Sequence, residues 1–136
     1  MKKKICIVVS SYNGSTTSKI YLSAKKELKK YKFNKVKLVK VPGAFEIPVV
    51  ISKLINKYDG FIAIGCIIKG ETTNFNLISR AITNGIMNIS INSKKPIGNA
   101  ILTLLNKKQA YTRFNRGKEA AIAVTEVLKI NKDGWL

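Results

Sequence analysis

Several stretches of this chain bring together residue types that can do chemistry. Val41-Pro42-Gly43-Ala44-Phe45-Glu46-Ile47-Pro48 sets two small residues, which let backbone approach a ligand closely, beside a carboxylate that can accept hydrogen bonds from hydroxyls. Glu46 also stands where a glutamate can simply cap a helix start. Gly65-Cys66-Ile67-Ile68-Lys69-Gly70-Glu71-Thr72-Thr73-Asn74-Phe75 runs from an apolar segment through glycine into hydroxyl residues ahead of a helical pattern. Unpaired amides at such a helix start point at a ligand, and the helix dipole adds positive potential. An anion is the natural guest, a phosphate above all. The glycine and lysine spacing is not that of a P-loop. Ser11-Tyr12-Asn13-Gly14 offers a flat ring to a heteroaromatic partner and an amide that donates and accepts, although the same tetrapeptide also makes an ordinary turn. Near the end, Gln109-Ala110-Tyr111-Thr112-Arg113 and Asn115-Arg116-Gly117 hold two of the chain's few arginines. Arg113 can give the same phosphate a bidentate contact or stand solvated on a helix.

These residues need elements to hold them at one place. Residues 5–10 form a short, β-branched apolar run, a buried strand. Thr16 or Thr17 can cap a helix with Ile20, Ala24, Leu28 and Tyr31 on one face. Residues 36–41 make a second strand that breaks at Pro42-Gly43, and 46–57 a second helix with Ile47, Val50, Ile51, Leu54 and Ile55 as its apolar residues. The longest apolar run, 60–68, is a central strand. Thr72 or Thr73 opens a third helix burying Phe75, Ile78, Ile82, Ile86 and Ile89. Residues 96–103 form a fourth strand, and helices over 107–113 and 117–130 close the chain, the last burying Ala120, Ala121, Val124, Val127 and Leu128. Strands alternating with helices imply an α/β fold: one parallel sheet, right-handed crossovers, helices on both faces. Ligands bind such sheets at the carboxyl ends of the strands. The loops just described follow the four strands, so the candidate residues converge there.

Composition bounds the rest. The chain has 136 residues, the length of one domain, with no linker-like stretch and no internal repeat. No apolar run approaches the roughly 18 residues of a membrane span. Met1-Lys2-Lys3-Lys4 followed by Ile5-Cys6-Ile7-Val8-Val9 has the start of a signal peptide, but the apolar run is short and leads into a turn, so a cytoplasmic protein is expected. Cys6 and Cys66 lie in predicted strands and read as core residues. With two cysteines and no histidine, no zinc site is expected. The formal charge of +18 suggests a nucleic-acid partner. Lysine, asparagine and isoleucine are all over-used, however, and share only codons rich in A and T. Mutational bias explains all three, nucleic-acid binding only the lysines, which occur along the whole length. No specific nucleic-acid partner is expected.

The segments Val-Pro-Gly-Ala-Phe-Glu-Ile-Pro, Gly-Cys-Ile-Ile-Lys-Gly-Glu-Thr-Thr, Pro-Ile-Gly-Asn-Ala-Ile-Leu-Thr and Asn-Arg-Gly-Lys-Glu-Ala-Ala occur in the order and spacing of lumazine synthases, and nearly the whole chain resembles that family. The resemblance implies a three-layer, flavodoxin-like sandwich with a four-stranded parallel sheet. It implies condensation of 5-amino-6-(D-ribitylamino)uracil with 3,4-dihydroxy-2-butanone 4-phosphate, without metal or organic cofactor. Carried over by position, Tyr12 stacks on the pyrimidine and Asn13 helps hold it. Ala44, Phe45 and Glu46 line the ribityl site, and Ile67 and Ile68 contact the ring system. Gly70, Glu71 and Thr72 surround the phosphate, which Arg113 binds, with Arg116 where the family often has lysine. The family's sites form between neighbours of a pentamer, so Asn99 and Arg113 would come from the adjacent chain.

The chain departs from the family at three places. Asn99 stands where an aromatic residue often stacks. The loop between Arg113 and Asn115 is shorter than in capsid-forming members. Asn74 occupies the place of the catalytic histidine. A slowed enzyme is expected, with a non-catalytic relative that binds a lumazine or ribityl-pyrimidine as the alternative. A pure lumazine binder has no need of a phosphate site, which favours the enzyme.

Overall fold

The computed structural model describes residues 2–130. Four parallel strands form the sheet: β1 (Lys4–Ser10), β2 (Lys35–Val41), β3 (Gly60–Ile68) and β4 (Ile97–Leu104), in the order β2-β1-β3-β4. The register aligns Ile5 with Val36 and with Gly60, and Phe61 with Ile97. β3 is buried over its whole length, which explains its continuous apolar run: both of its faces are covered by helices.

The strand order reverses between β1 and β3, and this sorts the helices onto two faces. α1 (Gly14–Leu28) and α4 (Arg116–Lys129) pack over Ile5, Ile7, Ile62, Ile64 and Leu102. α2 (Ile47–Leu54) and α3 (Phe75–Ser93) cover Cys6, Val8, Phe61, Ala63 and Ile101. The alternation of strand side chains feeds both layers, as a sheet buried on both sides requires. α1 and α4 approach closely because position 117 is glycine: a Cβ there would collide with the Ile20 carbonyl and lie 3.0 Å from the Ala24 nitrogen. The expected three-layer α/β sandwich is the observed one.

Several boundaries differ from the sequence reading. α1 starts at Gly14 on Asn13, and Thr17, expected as a possible cap, instead buries its hydroxyl and donates to the Ser10 carbonyl at 2.9 Å. α1 stops at Leu28, so Tyr31 falls in the following turn. Glu46 ends a short 3-10 helix (Ala44–Glu46) before α2. α3 starts at Phe75, beyond both threonines proposed as its cap. Residues Lys107–Thr112 form a 3-10 rather than an α-helix. Val127 is about half exposed (48%) although it follows Ala120 and Val124 at helical spacing, because it lines an open groove with Ile91 and Ile97.

Candidate active site

The carboxyl ends of β1, β2 and β3 open onto one cleft of about 190 Å³. Backbone bonds zip the first two loops together: Ser11 N donates to the Val41 carbonyl at 2.8 Å and Tyr12 N to the Pro42 carbonyl at 3.0 Å. The Asn13 amide Nδ2 then reaches across to the Cys66 carbonyl at 3.3 Å, tying the first loop to β3. Lys69 N donates to the Leu104 carbonyl at 2.9 Å and Glu71 N to the Ile68 carbonyl at 3.0 Å, which folds the third loop back over the end of its strand.

Gly65 lets these parts close up. A Cβ at this position would lie 3.1 Å from the Ala44 Cβ and 3.3 Å from the Ser10 Oγ, so its absence lets the 3-10 turn sit against β1 and β3. The turn is held from within: the Glu46 carboxylate accepts from Gly43 N at 2.9 Å through Oε1. Glu46 therefore does cap. A carboxylate accepts at two oxygens, so capping does not bar a ligand from the same side chain.

Of the candidate residues, the fold brings Tyr12, Ala44, Phe45, Ile67, Ile68, Glu71 and Thr72 to the cleft wall. Asn13 and Glu46 brace it from behind through the bonds just given. Gly70 sits exposed in the turn above β3, and Asn74 caps α3 in the left-handed region (φ 58°) with no side-chain capping bond. The aromatic rings at the mouth are uncovered, Tyr12 at 59% and Phe45 at 63% exposure. Exposed rings around an apolar-walled cleft mark a surface that takes a partner.

Three candidates stand apart from this cleft within one chain. Asn99 lies on edge strand β4, its Oδ1 accepting from Ile101 N at 3.0 Å. Arg113 follows the 3-10 helix and is exposed, and Arg116 opens α4 with its Nε 3.5 Å from Glu119. The fold also reveals participants that the sequence reading had not marked. Ile78 packs against the core, as its spacing predicts, and also lines the cleft. Lys107, from the segment after β4, places its ammonium 3.5 Å from the Glu71 carboxylate. Only its place just beyond a strand's carboxyl end could have pointed to it.

Cys66 also lines the cleft, with its side chain almost wholly buried. Burial pushes its thiol up to about 11, the Glu71 carboxylate raises it further, and Lys107 acts in the opposite direction. Burial therefore favours the neutral thiol near pH 7, which is the poorer nucleophile.

The architecture is that of a parallel α/β protein with a cleft at the carboxyl edge of the sheet, walled by Tyr12 and Phe45 and by the loop that leads into α3. The sequence profile of 6,7-dimethyl-8-ribityllumazine synthase matches residues 2–132. Proteins of that name are similar over most of their length. The one from Limosilactobacillus reuteri is 37% identical over 93% of this chain and 86% of its own. That from Buchnera aphidicola subsp. Baizongia pistaciae is 36% identical over 95% and 87%, and that from Thermococcus kodakarensis 33% over 95% and 86%. The chain belongs to the 6,7-dimethyl-8-ribityllumazine synthase family, transferases of riboflavin biosynthesis.

Proposed function

We propose that the protein condenses 5-amino-6-(D-ribitylamino)uracil with 3,4-dihydroxy-2-butanone 4-phosphate, forming 6,7-dimethyl-8-ribityllumazine with release of phosphate and water, the penultimate step of riboflavin biosynthesis. The observation that carries this reading is the cleft itself: Tyr12, Ala44 and Phe45 face Ile67, Ile68, Glu71 and Thr72 across one opening beside the start of α3. A planar pyrimidine fits against the Tyr12 ring, and the ribityl chain runs along Ala44 and Phe45 toward Glu46. The phosphate sits by Gly70, Glu71 and Thr72, where the free amides and dipole of the 19-residue α3 favour an anion. Lys107 offsets the charge of Glu71 at that point.

The chemistry joins an amine to a reactive ketone, so holding the two in register supplies much of the rate; such positioning is worth roughly 7–11 kcal/mol. Asn74 stands beside the phosphate loop and can hydrogen-bond the departing group, but it does not exchange a proton near neutral pH. Arg113 and Asn99 lie off their own chain's cleft, which fits a homopentamer in which each completes a neighbour's site. Arg116 then adds positive charge near the same phosphate.

The absence of histidine favours a second reading, a binder of lumazine or ribityl-pyrimidine without turnover. Absorbance of the lumazine, followed after mixing both substrates, separates the two. Product formation above the buffer rate supports the enzyme; tight lumazine binding with no rate above buffer replaces it by the binder.

A further inference from the structure

The lysines of this chain are unevenly placed in space. Residues 25–40 contain eight lysines and a single carboxylate, Glu27. Glu27 is nearly buried and its carboxylate lies 3.0 Å from the Lys30 ammonium, which holds it below the usual carboxylate range. The stretch covers the end of α1, the following turn and β2, so the fold collects this charge along one side of the sheet. β2 is an edge strand: among the described residues it pairs with β1 on one side only, and no other strand of them lies against its other side, which offers backbone donors and acceptors.

Beside that edge, under α1, run two adjoining clefts of about 260 and 410 Å³ that share Tyr21 and Leu38. Their floor is apolar. Leu28 and Phe33 line it, and Val36 of β2 is 42% exposed there. Lys25, Lys29 and Lys40 stand around the clefts, while Lys35 and Lys37 alternate with Val36 and project from the opposite face of the strand.

We propose that the free edge of β2 and the cleft under α1 dock an extended, acidic segment of another protein by strand addition. The pattern on the edge sets the pattern of the guest. Apolar side chains enter the cleft toward Val36 and Leu38, alternating with carboxylates that meet Lys35 and Lys37. A second copy paired edge to edge here is disfavoured, because it would set the same lysine-rich stretch against Lys35 and Lys37. Single-stranded nucleic acid fits less well. It does not pair with a strand's backbone, and the stretch contains no arginine. Its rings are also engaged: Lys25 sits over Tyr21 at 5.9 Å, Lys129 over Tyr31 at 5.6 Å, and Tyr31 leans on Phe33. They are poor platforms for stacked bases.

The test uses the whole protein in its native assembly and three fluorescent probes in anisotropy titrations. One is a peptide of alternating Glu and Val. The second has the same composition with Glu and Val in separate blocks. The third is an oligouridylate of equal charge. The expected result is binding of the alternating peptide about tenfold tighter than the block peptide, weakening with salt. The double variant Lys35→Glu/Lys37→Glu weakens it at least about tenfold while lumazine formation is unchanged, and Lys35→Gln/Lys37→Gln weakens it less. Equal affinity for the two peptides would reduce the site to diffuse charge and overturn strand docking. Oligouridylate binding as tight as the alternating peptide would make the edge a nucleic-acid surface instead. Insensitivity to both double variants would remove the edge from the binding altogether.

Discussion

Asn13 and Asn74 hold the same left-handed backbone conformation, with φ 59° and 58°, each at the residue just before the helix that follows a central strand. Neither side chain caps its helix. The Asn13 amide is spent on the Cys66 carbonyl, whereas Asn74 is exposed at the end of the loop that follows β3. Left-handed φ is costly for most side chains, about 1–3 kcal/mol, but asparagine and histidine both tolerate it. Position 74 therefore accepts either residue without moving the loop, and the exchange changes chemistry rather than backbone.

Asn74→His is expected to fold normally and to turn over faster, by up to about 10²–10⁴-fold if the imidazole reaches the reacting atoms. With both substrates saturating, the wild-type pH–rate profile should lack an inflection at pH 6–7, and the variant should gain one. If neither protein exceeds the buffer rate, the site does not catalyse and the binding reading stands.

Arg113→Ala should weaken the phosphorylated substrate by about ten- to a hundredfold, the worth of a charge-assisted contact of roughly 1.5–3 kcal/mol, and leave the pyrimidine almost unaffected. Isothermal titration with each substrate alone measures this. Equal losses for both would make Arg113 a structural residue.

Shared sites predict complementation. Glu46→Ala and Arg113→Ala chains, each impaired alone at sub-saturating substrate, should regain part of the activity when unfolded and refolded together, since some interfaces then join two intact halves. Light scattering should give the mass of a pentamer. A monodisperse monomer at micromolar concentration, or mixing without recovery, refutes sites built from two chains.

Gly117→Ala should destabilise the fold by at least about 1–3 kcal/mol, because the added methyl meets the Ile20 carbonyl and neither α1 nor α4 can yield without losing its packing on the sheet. Gly14→Ala is the control: nothing lies within 4 Å of a Cβ there, and the change should be neutral or stabilising by about 0.4–1 kcal/mol. Urea midpoints compare the two, and a harmless Gly117→Ala would mean that the helices are less closely packed than this.

Burial raises the Cys66 thiol from its ordinary 9.0 to about 11. The folded state then holds the proton more tightly than the unfolded chain, so this contribution is whole below pH 9 and is lost as pH climbs through about 11. Roughly 2–3 kcal/mol is at stake. Cys66→Ala should show a smaller loss of stability between pH 8 and pH 10.5 than the wild type, both measured under reducing conditions. Parallel losses would mean that the thiol titrates alike in both states.

The sequence by itself determined the strands, the long helices and their order, and it put the candidate residues in the loops beyond the strands. Apolar runs in β3 and helical spacing in α3 are local signals, and alternating strands and helices leave few topologies open. The two octapeptide-scale motifs around Glu46 and Gly70 were legible because glycine, proline and hydroxyl residues mark loop chemistry directly. Helix starts were less legible. Thr17 looks like a cap, but tertiary packing turns its hydroxyl onto the Ser10 carbonyl and hands the start to Asn13. Val127 falls on the apolar spacing of α4 and is still about half exposed, because spacing fixes a stripe and only packing fixes how much of it is covered. The pairing of Glu71 with Lys107, the closure permitted by Gly65 and the exposure of β2 as an edge join or order segments across the sheet. Such contacts depend on strand order, which reverses between β1 and β3, and no local pattern encodes which strand becomes the edge.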